Sequence, residues 1–218
     1  MKWYENLQNK IMKSNGSISQ MQDIFYDFAK EIMNDHVLVI NNIKIELTEI
    51  EFYYFDQNKH ADPYVHTDSL QKDTSEYLYV HKQAWARGGV DLTFGDTFFS
   101  GGMLIRGIKA ENKFISGSAT VKKYISGLLN SDFSAHNELQ NFFETSRKNI
   151  FLILNFNGDH KIYRSARIGL NPEKEERFCN ALYRFAREDY LHAKKDDFLI
   201  GYNNLKDRTK FKLPNLTR

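Results

Sequence analysis

Val37-Leu38-Val39-Ile40-Asn41-Asn42-Ile43-Lys44-Ile45-Glu46-Leu47-Thr48-Glu49-Ile50-Glu51-Phe52-Tyr53-Tyr54-Phe55 is the stretch that decides the fold. Val37–Ile40 is an unbroken aliphatic run rich in β-branched residues and reads as a strand. Asn41-Asn42 supplies adjacent residues that tolerate positive φ, which suits a two-residue hairpin turn. Ile43–Phe55 then alternates polar and apolar over an unusual length. A long β-hairpin therefore seeds the molecule. Upstream, Met21, Ile24, Phe25, Phe28 and Ile32 recur at helical spacing. Downstream, strands are expected at Tyr77–His81, Val90–Phe94 and Gly102–Ile108. Helices follow at Ala119–Leu129 and at His136–Arg147, the second behind a capping Ser134. Phe151–Phe156 and Lys161–Leu170 read as a second hairpin across Asn157-Gly158-Asp159. Asn171-Pro172 opens a helix from Glu173 to about Glu188. The sum is an α+β single domain over residues 1–218, a curved, mainly antiparallel sheet flanked by helices. Residues 1–18 read as an N-terminal extension and 203–218 as a basic C-terminal tail.

Composition narrows the function classes. The chain has 218 residues, 41% hydrophobic and 14% aromatic, enough for a real core. Thirty Lys and Arg oppose 28 Asp and Glu, a net charge of +2 that excludes a partner held by bulk charge alone. The balance is uneven along the chain: residues 161–218 carry 14 basic against 8 acidic side chains, and the rest is net acidic. Cys179 is the single cysteine, which excludes an intrachain disulfide and a multi-thiolate zinc site. No apolar run approaches the roughly 18 residues of a membrane span. The opening Met1-Lys2-Trp3-Tyr4-Glu5-Asn6 lacks a signal-peptide core. A cytoplasmic protein with no membrane partner is the expectation.

On a flat strand, Ile43, Ile45, Leu47, Glu49, Glu51, Tyr53 and Phe55 share one face, with two acids in its apolar middle. A carboxylate so placed is suited to act as a general base. The loop Asp56–Ser69 follows, rich in groups that bind or move protons. Its His60, Asp62 and His66, with His81 or Asp91, form an alternative metal-ligand set, although their spacing matches no tight metal signature. The glycines around Gly88-Gly89 and Gly101-Gly102 lack the Lys-Ser/Thr of a phosphate loop and mark tight turns or close backbone approach. Arg106 lies in a strand with Leu104 and Ile108 on its own side; its partner is Glu49, Asp91 or a phosphate. Trp3 and Trp85 read as packing or surface aromatics, and Cys179, Tyr124 and Phe142-Phe143 as core residues.

Taken in order, these pieces resemble the 3-methyladenine (alkyladenine) DNA glycosylase family. Glu49-Ile50-Glu51-Phe52-Tyr53 is similar to the family's Glu-x-Glu-Ala-Tyr, and Asp62 and His66 resemble the Asp and His of its next loop. Val90–Gly95 looks like its aromatic strand ending in Tyr-Gly, and Met103-Leu104-Ile105-Arg106-Gly107 like its Leu-(Ile/Leu)-Arg-Ala strand. Ser165-Ala166-Arg167-Ile168-Gly169-Leu170 and Leu182-Tyr183-Arg184-Phe185 match its last two motifs. The resemblance spans roughly residues 36–190. It implies a monomeric, monofunctional, cofactor-free enzyme of base-excision repair on damaged duplex DNA, associated with the nucleoid. It implies Glu51 as the base that prepares water for attack on C1′ of a flipped nucleotide. Tyr53 and His66 would hold the extruded base, with Asp91 shaping the pocket where the family has a second stacking Tyr. Arg106 would hold a backbone phosphate, and Phe94 would be the intercalating wedge. Glu49 and Asp62 would support the site from behind. The family's Asn after the aromatic strand has no counterpart near Phe98–Ser100, and Lys82–Arg87 replaces its Arg-Asn-x-x-Met-Phe. Two other readings stand beside this one: a nucleic-acid-binding protein that keeps the scaffold without the chemistry, and a metal-dependent hydrolase built on His60, Asp62, His66 and His81.

Overall fold

The structure is a computed structural model and describes residues 2–67, 69–72, 75–80, 88–130, 150–194, 198–199, 209 and 211–212. The expected helix at His136–Arg147, with Phe142-Phe143, and residues His81, Trp85 and Lys82–Arg87 lie outside the described residues.

Two helices, α1 (Trp3–Lys13) and α2 (Ile18–Asp35), precede the hairpin of β1 (His36–Ile40) and β2 (Ile43–Phe55). Residues read as an extension are thus part of the fold: α1 buries Trp3, Leu7 and Ile11 in the main core. The helical stripe is α2, whose Ser17 hydroxyl accepts the Gln20 N–H as an N-cap. Asn41 and Asn42 adopt φ 48° and 66°, the left-handed pair that the hairpin needs. After a single turn α3 (Ser69–Lys72) come β3 (Ser75–Val80), β4 (Val90–Phe94), β5 (Ser100–Ala110), β6 (Lys113–Ser116) and α4 (Ser118–Leu128). The last part holds β7 (Ile150–Leu154), β8 (Ile162–Ser165), a turn α5 (Glu176–Cys179), β9 (Arg184–Arg187), α6 (Glu188–Lys194), β10 (Phe198–Leu199) and β11 (Phe211–Lys212). The fold is α+β, a curled and mainly antiparallel sheet with flanking helices; β10 and β11 are its parallel pair.

The sheet forks at its centre. β2 runs beside β5 from Ile45 to Phe55, but its other edge takes β1 at Ile43–Ile45 and β9 at Glu49–Glu51. β5 likewise pairs with β4 up to Ile105 and with β6 from Gly107. Where the partners change, each strand carries an extra residue, Thr48 in β2 and Arg106 in β5, and the register between them recovers. A bulge turns the strand over. Hence Ile45 and Leu47 face the main core before it, and Ile50, Phe52 and Tyr54 after it. Phe52 stacks on Phe25 of α2 with centroids 4.5 Å apart and planes at 3°. The flat-strand reading, with both acids amid the core apolar residues, is corrected: Glu49, Glu51 and Tyr53 occupy the opposite face of the sheet. Ile108 likewise leaves the side of Arg106 and Leu104 and joins the core.

Two further expectations are corrected. β7 and β8 form no hairpin; β7 joins β1, while β8 joins β9 and β11. The connection is pinned to the α2–β1 junction, where the Asn157 amide donates to the carbonyls of Met33 and His36 and the Asn34 amide donates to that of His160. That clasp sends the chain away from β7. The long helix from Glu173 is instead the α5 turn, the strand β9 and then α6. Arg184-Phe185-Ala186 is a period-two pattern with Phe185 in the core and both neighbours on the other face.

Candidate functional site

The face of the sheet away from the main core is buried and charged. Glu49 and Glu51 of β2 lie opposite Ala186 and Arg184 of β9, with Arg106 of β5 between them on the other flank. Glu49 Oε1 accepts from Arg184 Nε at 2.7 Å and Arg106 Nε at 3.1 Å, and lies 2.7 Å from Arg184 Nη2. Its Oε2 accepts the Tyr190 hydroxyl at 2.7 Å. Gly107 permits this approach, since a Cβ there would stand 2.8 Å from the Tyr190 ring and 2.9 Å from the Glu49 Cβ. Burial opposes ionisation of Glu49, but Arg184, then Arg106, the Tyr190 hydrogen bond and Lys194 outweigh it and hold its pKa below the usual value. Glu49 is an anchor for arginines.

Glu51 is placed differently. It is fully buried, its Oε2 accepts the Tyr53 hydroxyl at 2.9 Å, and its Oε1 accepts the Ile168 backbone N–H at 2.9 Å. Arg106 Nε stands 3.5 Å and Arg184 Nε 4.0 Å from Oε1. Burial, and next the Glu51 charge, push the Tyr53 hydroxyl well above its ordinary pKa, so it is a fixed donor. A carboxylate oxygen has room for more than one donor, so both oxygens keep acceptor capacity. Arg106 uses its Nε on the two glutamates and is 16% exposed; Ile168, whose backbone N–H reaches Glu51, is 38% exposed.

Beneath Tyr53 lies Arg167, also fully buried. Its guanidinium carbon is 4.6 Å from the Tyr53 ring centroid, 5.3 Å from Tyr183 and 5.7 Å from Tyr64. Its Nη2 pairs with Asp62 at 2.8 Å, and its two Nη atoms donate to the carbonyls of Phe52 and Phe178. Burial works against this charge, and Asp62, followed by Tyr53 and Glu51, more than restores it. Asp91 is buried on the same face and accepts the Gln71 amide at 2.9 Å. Gly102 makes the space, as a Cβ there would lie 2.7 Å from Asp91 and 2.9 Å from Gln71.

The structure therefore gathers Glu49, Glu51, Tyr53, Arg106, Asp62 and Asp91 on one side of the sheet. Phe94 is not there. It is fully buried in the main core beside Phe25 and Phe52, so the wedge assignment is corrected: alternation in β4 sends Phe94 inward and Asp91 outward. His66 lies exposed on its loop, and among the described residues the groups on Glu51 are Tyr53, Ile168, Arg106 and Arg184. His60 is buried with Nδ1 on the Gly16 carbonyl at 2.7 Å and Nε2 on the Tyr183 hydroxyl at 3.2 Å. With Asp62 on Arg167, the set proposed for a metal is scattered, and no group of three metal-ligating side chains occurs among the described residues. Arg106 has the partner Glu49, one of those considered. Sequence reasoning gave no role to Arg167, Arg184, Tyr190 or the Ile168 amide; the surplus of basic residues after position 160, against net acid before it, was their trace.

No family model matches the sequence. Over 179 aligned residues, 70% of this chain and 81% of the other, it is 32% identical to an uncharacterized protein of Acanthamoeba polyphaga mimivirus. No described helix is long and apolar enough to cross a membrane.

Proposed function

We propose that this chain, which belongs to the same family as the mimivirus protein, is an N-glycosylase that hydrolyses the glycosidic bond of a modified purine flipped out of DNA. The observation that carries the reading is Glu51: a fully buried carboxylate with a donor on each oxygen, beside the partly exposed Arg106 and held by the backbone N–H of the exposed Ile168. A flipped nucleotide brings an anionic backbone and an apolar ring together, and these two residues match that pair. Glu51 takes a proton from a water that attacks C1′, and the departing purine carries away the bond's electron pair. Tyr53 and Ile168 hold the carboxylate in one orientation, so little reorganisation is needed during the step. The Nε of Arg106 is anchored on Glu49 and Glu51, which leaves its terminal amino groups for a phosphate. Engagement of both His60 nitrogens and of Asp62 favours this reading over metal-dependent hydrolysis.

Glu51→Gln is expected to abolish release of alkylated purine from duplex DNA, scored by free base in solution, with DNA binding retained. Intact binding by the wild-type protein without base release from any alkylated or deaminated duplex would sink the proposal. A second reading is favoured by the pairing of the buried guanidinium groups of Arg167, Arg184 and Arg187 with carboxylates: the charge network is a scaffold for nucleic-acid binding without chemistry. In that case binding weakens on Arg106→Ala and is indifferent to Glu51→Gln.

A further inference from the structure

We infer that Arg167 is the positioning residue of Glu51, a role that rests on the reading of Glu51 as a general base. Each hydrogen bond on Glu51 is set by a group that Arg167 holds. The Tyr53 hydroxyl on Oε2 belongs to the ring against which the guanidinium lies at 4.6 Å. The N–H on Oε1 is that of the next residue, Ile168, so the place of Arg167 in the chain fixes it. A third tie reaches the strand itself, through Nη1 to the Phe52 carbonyl between Glu51 and Tyr53.

The other side of Arg167 holds the walls. Asp62 pairs with Nη2, and its Oδ1 accepts the Tyr64 N–H at 3.0 Å, so the loop after β2 is drawn onto the same guanidinium. The Tyr64 hydroxyl donates to the carbonyls of Asn171 and Glu175, which clasps that loop to the segment after β8. Among the described residues, the Nε of Arg167 is buried without a hydrogen-bond partner. The forked cation, with one donor unsatisfied, fits a demand for several directed bonds at once rather than for charge alone. Lysine at 167 keeps the charge but cannot reach the Phe52 and Phe178 carbonyls and Asp62 together.

The test uses the full-length protein with Arg167→Lys, Arg167→Gln and Asp62→Asn, and two kinds of readout. For base release from methylated duplex DNA, Arg167→Gln is expected to lower kcat about 100-fold with KM within about threefold, the signature of a misplaced catalytic group. Arg167→Lys is expected to recover part of that loss. Independently of activity, NMR is expected to show faster hydrogen exchange at the Ile168 amide and faster flipping of the Tyr53 ring in both Arg167 variants. Should Arg167→Gln fail to fold, Arg167→Lys and Asp62→Asn carry the same comparison. A folded Arg167 variant with wild-type kcat, or with unaltered Ile168 and Tyr53 signals, overturns the inference. Wild-type protein that releases no base, in variants of which both NMR signals still respond, overturns the glycosylase reading and leaves the hold of Arg167 on Glu51 standing.

Discussion

Glu49 and Glu51 differ by two positions in sequence and by everything that surrounds them. Glu49 takes Arg106, Arg184 and Tyr190, and its removal leaves the buried Arg184 without its closest carboxylate. Glu49→Gln is therefore expected to destabilise the fold by about 3 kcal/mol, the scale for breaking a buried pair on one side, measured by urea denaturation. The titrating groups also set an acid limit. Burial holds His60 below its ordinary 6.5, so the unfolded chain binds a proton that the folded chain refuses, and stability declines as pH falls below about that value. Glu49, held below 4.5, loses its contribution as pH drops further, through its folded pKa. Urea midpoints from pH 8 to about pH 3 are expected to fall in that order, and His60→Gln to flatten the first part. The Glu-x-Glu spacing was legible in the sequence, as was the placing of Tyr53 on the same face as Glu51, where its hydroxyl meets the carboxylate. The division of labour was not, because it depends on Arg106 and Arg184, 57 and 135 residues away from Glu49 in the chain.

At the level of elements, turn chemistry and long alternation were readable, and the exceptions have a single kind of cause. Asn41-Asn42 and the limits of β2 and β4 follow from local sequence. The bulges at Thr48 and Arg106 do not, since nothing in Leu47-Thr48-Glu49 distinguishes a bulged strand from a flat one; the fork in the sheet imposes them. The helix read across Glu173–Glu188 failed for the same reason, because pairing with β2 and β8 overrides local propensity. Deleting Thr48 is expected to leave β2 unable to keep Ile45, Leu47, Ile50 and Phe52 all in the core, and the protein is expected to lose its cooperative unfolding transition in circular dichroism. A milder change at the hairpin, Asn42→Val, places a β-branched residue at φ 66° and is expected to cost about 1–2 kcal/mol in the same measurement.

Across the whole molecule, acids and bases come from opposite parts of the chain. Glu46, Glu49 and Glu51 lie on β2, while Arg184 and Arg187 lie on β9, and the Arg187 Nη1 meets Glu46 at 2.7 Å. The C-terminal part reaches further inward than a solvated tail: β11 adds to β8, and the Thr209 carbonyl accepts Arg184 Nη1 at 3.0 Å. A fragment of residues 1–160 is expected to lack a cooperative transition alone and to gain one when a 161–218 fragment is added, monitored by tryptophan fluorescence. The forked β2 has a consequence for how the protein is made. As it leaves the ribosome, that strand carries three carboxylates whose counter-charges have mostly yet to be translated, so it cannot settle into place early. The acid proposed to activate water is assembled among the last parts of the molecule, and a chain interrupted during synthesis carries no half-working version of it.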